Sequence, residues 1–221
     1  DPFKNGNVQK ISLRGSVGGS VNDLTIKGFE ASTLGQTHLL VSGTLRGLPD
    51  IKKLLFDVNL QDFSTSKTDL LKLVPKNTIP QSVILPEHIK VSSMFRGSLK
   101  NINFQAALLT SLGNINASGM MKINSVARDT SYQVNLQARN LQAGKLGSIK
   151  EIGLISLSAN VQGRGLSLNT ANTTIKGQVD LAQYKGYSYQ HLVLDASIAS
   201  KQIQLKASMP DPNLSFKLIG R

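Results

Sequence analysis

The 221-residue sequence lacks cysteine and tryptophan, and aromatic residues make up only 5% of it. The absence of cysteine excludes a disulfide framework and a thiolate metal site. The scarcity of aromatic rings counts against a carbohydrate-binding module that stacks such rings on sugar faces. No apolar run is long enough to predict a transmembrane helix. Hydrophobic residues make up 40% of the sequence, and most of them are aliphatic. This content suffices for one large all-β domain or two small ones.

Acidic residues are also few, with 13 against 25 basic residues and a formal net charge of +12. The basic residues are dispersed, and many alternate with apolar neighbours, which is typical of a solvated strand face. The functional alternative is attraction to anionic lipid headgroups, which favours each nearby Lys or Arg by about 1 kcal/mol. Nucleic acid is not predicted as a partner, because no arginine-rich cluster interleaves with aromatic residues.

Segment 97–123, with the sequence GSLKNINFQAALLTSLGNINASGMMKI, shows the clearest periodicity. Apolar and polar residues alternate on both sides of Leu112-Gly113-Asn114, which predicts a hairpin of two half-buried strands. Segment 19–35, GSVNDLTIKGFEASTLG, matches 97–113, GSLKNINFQAALLTSLG, without a gap. We therefore predict an internal repeat, with units of about 8–63, 89–140 and 154–219 inside a single repeat-built segment spanning 1–221.

Residues 64–88 break the alternation and are predicted to connect two units. Ser66 or Thr68 is expected to cap a short helix over residues 69–72, which Pro75 ends. Pro80 and Pro86 keep the following chain extended. A second turn, with a one-turn helix, is predicted within 140–152.

The remaining alternation predicts about a dozen strands and at most two short helices. Each strand has one aliphatic face and one face of Ser, Thr, Asn, Gln and Lys, so the aliphatic face requires a cover. In a sandwich, a second sheet would cover the aliphatic face, and in a barrel the sheet would close on itself around that face. The third option is a curled, mainly antiparallel sheet whose apolar concave face is occupied by something else. The other predicted strands are 8–17, 20–30, 37–46, 54–60, 132–139, one from Leu157 that closes at Gly163, 173–181, 187–198, 202–209 and 214–219.

No constellation of residues predicts catalysis, a metal site or a cofactor. The three histidines, His38, His88 and His191, lie at no metal-ligand spacing, so surface or capping roles are expected. No pair of carboxylates is evident, and the predicted turns account for three of them, Asp129, Asp195 and Asp211. Residues 163–165, Gly-Arg-Gly, lack the third glycine and the helix of a nucleotide fingerprint. The sequence thus predicts a protein that is not an enzyme.

The recurring strands of the form G-S-x-x-x-aliphatic-x-aliphatic resemble the AsmA-like envelope proteins, and within them the TamB family most closely. That family is the inner-membrane-anchored component of the translocation and assembly module. Further similar segments are DLLKLVP with the following I-P at 69–80, I-x-V-x-S-x-F-R-G-S-L at 89–99, NLQAGKL at 140–146 and ISLSANVQGRGL at 155–166. The resemblance covers most of the chain and rests on degenerate motifs.

The resemblance implies a fragment of a long curled sheet, the β-taco groove, which conducts phospholipid between inner and outer membrane and supports outer-membrane biogenesis. It implies a periplasmic location, an inner-membrane anchor in an N-terminal helix outside this sequence, and an outer-membrane β-barrel of the assembly-factor superfamily as partner. It implies no catalytic residue and no cofactor. The competing hypothesis is an extended β-rich adhesin or polysaccharide-binding module.

If the groove exists, the aliphatic strand faces line it. The residues then predicted to face lipid are Ile102, Phe104, Ala106, Leu108, Ile115, Ala117, Met121, Ile123, Tyr132, Val134, Leu136, Ala138, Leu157, Val161, Leu192, Leu194, Ile198 and Leu205. For Phe104 and Tyr132, a structural role is the expectation in the absence of a groove.

Overall fold

A computed structural model shows the chain as one open antiparallel sheet. It describes residues 11–75, 84–124, 129–167, 169–199 and 202–209, and the backbone of 216–220. The strands are β1 Ser12–Ser20, β2 Asp23–Thr33, β3 Thr37–Arg46, β4 Leu55–Ser66, β5 His88–Ser98, β6 Asn101–Thr110, β7 Gly113–Asn124, β8 Asp129–Gln142, β9 Ile152–Arg164, β10 Asn172–Tyr184, β11 Tyr187–Tyr189, β12 Leu192–Ala199, β13 Gln202–Met209 and β14 Phe216–Gly220. The helices are α1 Lys67–Leu73 and α2 Ala143–Leu146, with a 3₁₀ turn at Ile51–Lys53.

The strands follow one another across the sheet in chain order, with one exception. Thirteen strands form a continuous meander, and the short β11 pairs with β10 beside it. β1 and β14 lie at opposite ends of the strand order, and within the described residues each strand contacts mainly the strands it is hydrogen-bonded to. The predicted all-β antiparallel sheet with two short helical connectors is confirmed. Neither a sandwich nor a barrel is formed by the described residues.

The two similar segments have the same pairing geometry. Gly19 lies opposite Leu24 in the β1–β2 hairpin, and Gly97 lies opposite Ile102 in the β5–β6 hairpin. Both glycines have positive φ, 98° and 138°, and a Cβ on either would overlap the carbonyl oxygen of the residue four positions later. Glycine is required there because other residues rarely adopt this backbone conformation. The predicted limits of the units stay predictions.

The region predicted as a connector contains more regular structure than expected. β4 continues to Ser66, because the ladder with β5 extends as far as the pair Ser66 and His88. The Ser66 hydroxyl then accepts a hydrogen bond from the Asp69 backbone N–H at 3.2 Å, so Ser66 is the helix cap. The helix ends at Leu73, before Pro75, as predicted. Residues 76–83, which include Pro80, lie outside the described residues.

Three predicted boundaries are wrong. The first hairpin turns at residues 21 and 22, between Ser20 and Asp23, and not between the predicted strands 8–17 and 20–30. Thr110 pairs with Gly113, so the β6–β7 turn consists of residues 111 and 112, and Gly113 already belongs to the next strand. The predicted strand 187–198 is divided into β11 and β12 at His191, whose φ of 56° interrupts the extended backbone. The alternation alone could not reveal this break, because residues on both sides keep an apolar period.

One carboxylate predicted to lie at a turn does not. Asp195 lies in the middle of β12, where it pairs with Lys176 on β10 and Lys206 on β13 in the strand register. Asp129 is the first residue of β8, next to the predicted turn. Asp211 lies outside the described residues.

Candidate functional site

Strand register places the aliphatic side chains in four rows across one side of the sheet, which we call the apolar face. Residues directly opposite each other on paired strands project to the same side. The first row is Leu24, Leu45, Phe56, Gly97, Ile102, Met121, Tyr132, Gly163, Thr173, Ile198 and Ile203. The second is Val17, Ile26, Gly43, Val58, Phe95, Phe104, Gly119, Val134, Val161, Ile175, Ala196 and Leu205. The third is Phe29, Val41, Leu60, Ser93, Ala106, Ala117, Leu136, Ala159, Gly177, Leu194 and Ala207. The fourth is Ala31, Leu39, Phe63, Val91, Leu108, Ile115, Ala138, Leu157, Val179 and Leu192.

The structure brings all the residues predicted to face lipid onto this one face. All of them belong to the four rows except Ile123, which lies beyond the first row and opposite Thr130. The sequence period of two assigned them to a face of each strand, and the register joins those faces into one surface. Their role in binding lipid stays a prediction.

The apolar face is only partly shielded from solvent. Among the described hydrophobic residues, only Ala138, Ala196 and Met209 are buried, and no large side chain is fully buried. Phe95, in the second row, remains 38% exposed. A close-packed core between two layers would bury its large side chains almost completely. Over most of the described residues the apolar face is therefore an uncovered surface.

Two polar groups lie within the apolar face. The Tyr132 hydroxyl donates to the Gly165 carbonyl oxygen at 3.2 Å and lies 2.6 Å from the Thr173 hydroxyl. Its ring thus passes over Gly163, which separates Tyr132 from Thr173 in the first row. Ser93, in the third row, is 7% exposed, and its hydroxyl has no hydrogen-bond partner. The polar atom of Tyr132 is satisfied, whereas that of Ser93 is not.

Helix α1 is fixed against one end of the apolar face. Asp69, only 4% exposed, accepts hydrogen bonds from the Gln36 backbone N–H at 3.1 Å and from the Thr37 hydroxyl at 3.4 Å. The Thr37 hydroxyl also lies 2.9 Å from that of Thr65 on the neighbouring strand. Because both threonines project to the apolar face, the helix lies over that face at the ends of β3 and β4.

The opposite side of the sheet, which we call the polar face, contains two large recesses that sequence reasoning missed. The first has a volume of about 970 Å³ and crosses the middle of strands β4 to β10. Amide and hydroxyl side chains line much of it, together with Met94, Ala107 and Lys176. It meets only three of the predicted lipid-facing residues, Ala106, Ala117 and Leu136. Since the side chains of those three point to the apolar face, their main chain forms its floor.

The second recess has a volume of about 800 Å³ and shares Asn160 and Lys176 with the first. It adds Lys122, Asp129 and Arg164 to the lining. The polar alternation predicted only a solvated strand face here. The first recess is formed by seven strands and the second by four, so both depend on the strand register, which the sequence pattern did not supply.

A charged cluster lies on the polar face of β2 to β5. Glu30 and Asp62 each approach His38 at 3.2 Å, on different ring nitrogens, and Lys90 lies 3.3 Å from Asp62. Partial burial raises the pKa of Asp62, but hydrogen bonds from Ser64, Lys90 and His38 outweigh it and hold this pKa below its ordinary value. Two carboxylates thus flank one imidazole, an arrangement that the sequence did not predict. Among the described residues, no group of three or more histidines and carboxylates could hold a metal ion.

None of the described helices has the length and apolar character needed to cross a membrane. Comparisons with protein-family models, curated proteins and solved structures give no match. The family resemblance therefore stays a prediction.

Proposed function

We propose that this chain is a segment of an envelope protein that conducts phospholipid between two membranes, with acyl chains carried along the apolar face. The observation that carries the proposal is the continuity of the four aliphatic rows across the sheet without a covering layer. An uncovered apolar surface of this extent requires an occupant, because contiguous exposed apolar patches mark binding sites in soluble proteins.

The dimensions of the apolar face suit acyl chains. Rows on one strand are two residues apart, so the first and fourth rows are separated by about 20 Å. Thirteen strands at a spacing of about 4.8 Å extend the face over about 58 Å. An acyl chain reaches about 15 Å, half the thickness of a bilayer core. Several acyl chains can therefore lie on the face at once.

The chemistry of the apolar face favours movement over tight binding. Burial of an acyl chain recovers about 0.8 kcal/mol per CH₂, in an aliphatic groove as in a bilayer. Transfer between the two is then nearly neutral. The rows are mainly aliphatic, and the Tyr132 hydroxyl is already hydrogen-bonded, so few polar groups on the face would hold a headgroup.

A periplasmic location, an inner-membrane anchor elsewhere in the parent protein and an outer-membrane β-barrel partner belong to this proposal. The competing proposal is an adhesin or polysaccharide-binding module, and the polar recesses are the observation that favours it. The two proposals concern opposite faces of the sheet. A ligand on one face therefore does not exclude a ligand on the other.

The test places a charge on the apolar face. Leu136 lies in the third row between Ala117 and Ala159, so it is the large side chain at the centre of a patch of small ones. We expect wild-type protein purified from a diderm bacterium to retain phospholipid, and Leu136→Asp to retain several-fold less. An ionised carboxylate on an apolar surface loses hydration that lipid cannot replace. Lipid extraction with mass spectrometry measures the amount.

The matched control is Gln133→Asp, which puts the same charge on the polar face of the same strand. This variant should retain as much lipid as wild type. Circular dichroism must show that Leu136→Asp remains folded, as expected for an uncovered face, since a sealed core would unfold. Lipid-free wild-type protein, or equal lipid in both variants, would refute the proposal.

A further inference from the structure

The charged residues of the sheet are distributed in two different ways along the chain. Among the described residues there are eight ion pairs, and all join residues between Asp23 and Arg96. Beyond Arg96 the described residues include nine basic and four acidic ones, and none of them forms an ion pair within 4.0 Å. The half of the sheet that follows β5 thus carries a surplus of uncompensated positive charge.

The amide side chains of the first recess are also largely unused. Gln105, Asn116, Gln137 and Gln178 line it, and none makes a side-chain hydrogen bond to another described residue. The bond at 2.8 Å from the Asn160 side chain to that of Asn135 crosses between two adjacent strands of the recess. Each free amide offers both donors and an acceptor. The recess therefore presents a row of groups that can hydrogen-bond to hydroxyls.

The shape of the recess suits an extended ligand. It crosses seven successive strands, so it runs for about 29 Å at a strand spacing of about 4.8 Å. Through Asn160 and Lys176 it continues into the second recess, where Lys122 and Arg164 lie. A ligand that follows this course would contact the amides of the first recess and then the cations Lys122 and Arg164 of the second.

We propose that these joined recesses on the polar face bind a linear, acidic polysaccharide. The free amides would pair with sugar hydroxyls, and Lys122, Arg164 and Lys176 would pair with its carboxylates. No carboxylate lines the first recess, and Asp129 is the single one in the second, so the lining repels an anionic polymer little. Nucleic acid fits less well, because no aromatic side chain of the polar face lines either recess for base stacking.

The experiment uses the 221-residue chain with sodium polygalacturonate as the acidic polymer and dextran as the neutral one. Affinity electrophoresis and isothermal titration at about 0.15 M salt measure binding. We expect polygalacturonate to bind at least about tenfold more tightly than dextran. The double variant Arg164→Gln with Lys176→Gln should weaken that binding about tenfold, since charge-assisted hydrogen bonds are about twice as strong as neutral ones.

The matched control is Lys145→Gln with Lys150→Gln, which removes the same charge from exposed residues outside both recesses. It should weaken binding less than about twofold. A second variant, Asn116→Ala with Gln137→Ala, tests the amides and should weaken binding with no change in its salt dependence. If the Lys145/Lys150 control lost as much binding as the Arg164/Lys176 variant, the attraction would be a general effect of charge, and the proposal would be overturned. Absence of binding, equal binding of dextran, or displacement by an equimolar single-stranded oligonucleotide would overturn it as well. None of these outcomes depends on lipid at the apolar face.

Discussion

Gly97 offers a sensitive test of the strand register from which both faces are built. Its φ of 138° lies in a region that L side chains rarely adopt, which costs about 1–3 kcal/mol. An added Cβ would also overlap the Asn101 carbonyl oxygen, a main-chain atom that no rotamer change can move. Overpacking of this kind costs a further 1–3 kcal/mol or so. We therefore expect Gly97→Ala to lower the free energy of unfolding by about 3 kcal/mol or more, measured by urea denaturation with circular dichroism.

Two other glycines separate the contributions to that loss. Gly186 has a φ of 82° but open space around a Cβ, so Gly186→Ala should cost about 1–2 kcal/mol. Gly18 has no positive φ, and a Cβ added to it would meet no atom within 4 Å, so Gly18→Ala should be neutral or slightly stabilising. If Gly97→Ala costs no more than Gly186→Ala, the close approach to Asn101 is absent, and the register of the β5–β6 hairpin is not the one described.

Three further predictions concern the polar groups of the sheet. The pKa of Asp62 is lower in the folded state than its ordinary value of 3.8. The ionised carboxylate therefore stabilises the fold fully above pH 3.8, and this stabilisation is lost as the pH falls through the lower, folded-state pKa. Unfolding midpoints should fall less steeply below about pH 4 in Asp62→Asn than in wild type, and parallel curves would contradict this. Ser93→Ala should raise the free energy of unfolding by about 1 kcal/mol, because an unpaired buried hydroxyl is costly, and a loss would reveal a partner. Ser66→Ala should destabilise by about 1 kcal/mol, while Thr68→Ala on the exposed side should not, and equal effects would displace Ser66 as the cap.

The alternation of residues predicted the apolar face well, because a strand has a side-chain period of two whatever it pairs with. Phe104 and Val134 were assigned to one side of their strands from this period alone, and the register places them in the same row. Ser66 was one of the two predicted helix caps, with Thr68, because capping depends on a backbone amide only three residues away, here that of Asp69. Features set within a few residues were thus accessible from the sequence.

The features that were missed depend on contacts across strands. His38 meets Glu30 and Asp62 only because three strands lie side by side in one register, and no sequence spacing announces that arrangement. The first recess requires the combined surfaces of seven strands. The break at His191 depends on one left-handed residue inside a run whose composition still favours strand. Long-range register and single backbone torsions were the information that the sequence pattern lacked.

The meander order of the strands has a consequence for how such a protein forms. Nearly every strand pairs with its immediate neighbours in the chain, so most hairpins close over a short loop and lose little loop-closure entropy. The connections from β4 to β5 and from β8 to β9 are longer and contain the helices. Folding can start at any hairpin and spread to either side, as in repeat proteins whose stability is a sum of nearest-neighbour interactions. A chain emerging gradually from a ribosome or a translocation pore could complete each strand pair without waiting for the next. Insertion of one further hairpin would lengthen the sheet by about 10 Å and leave its cross-section unchanged.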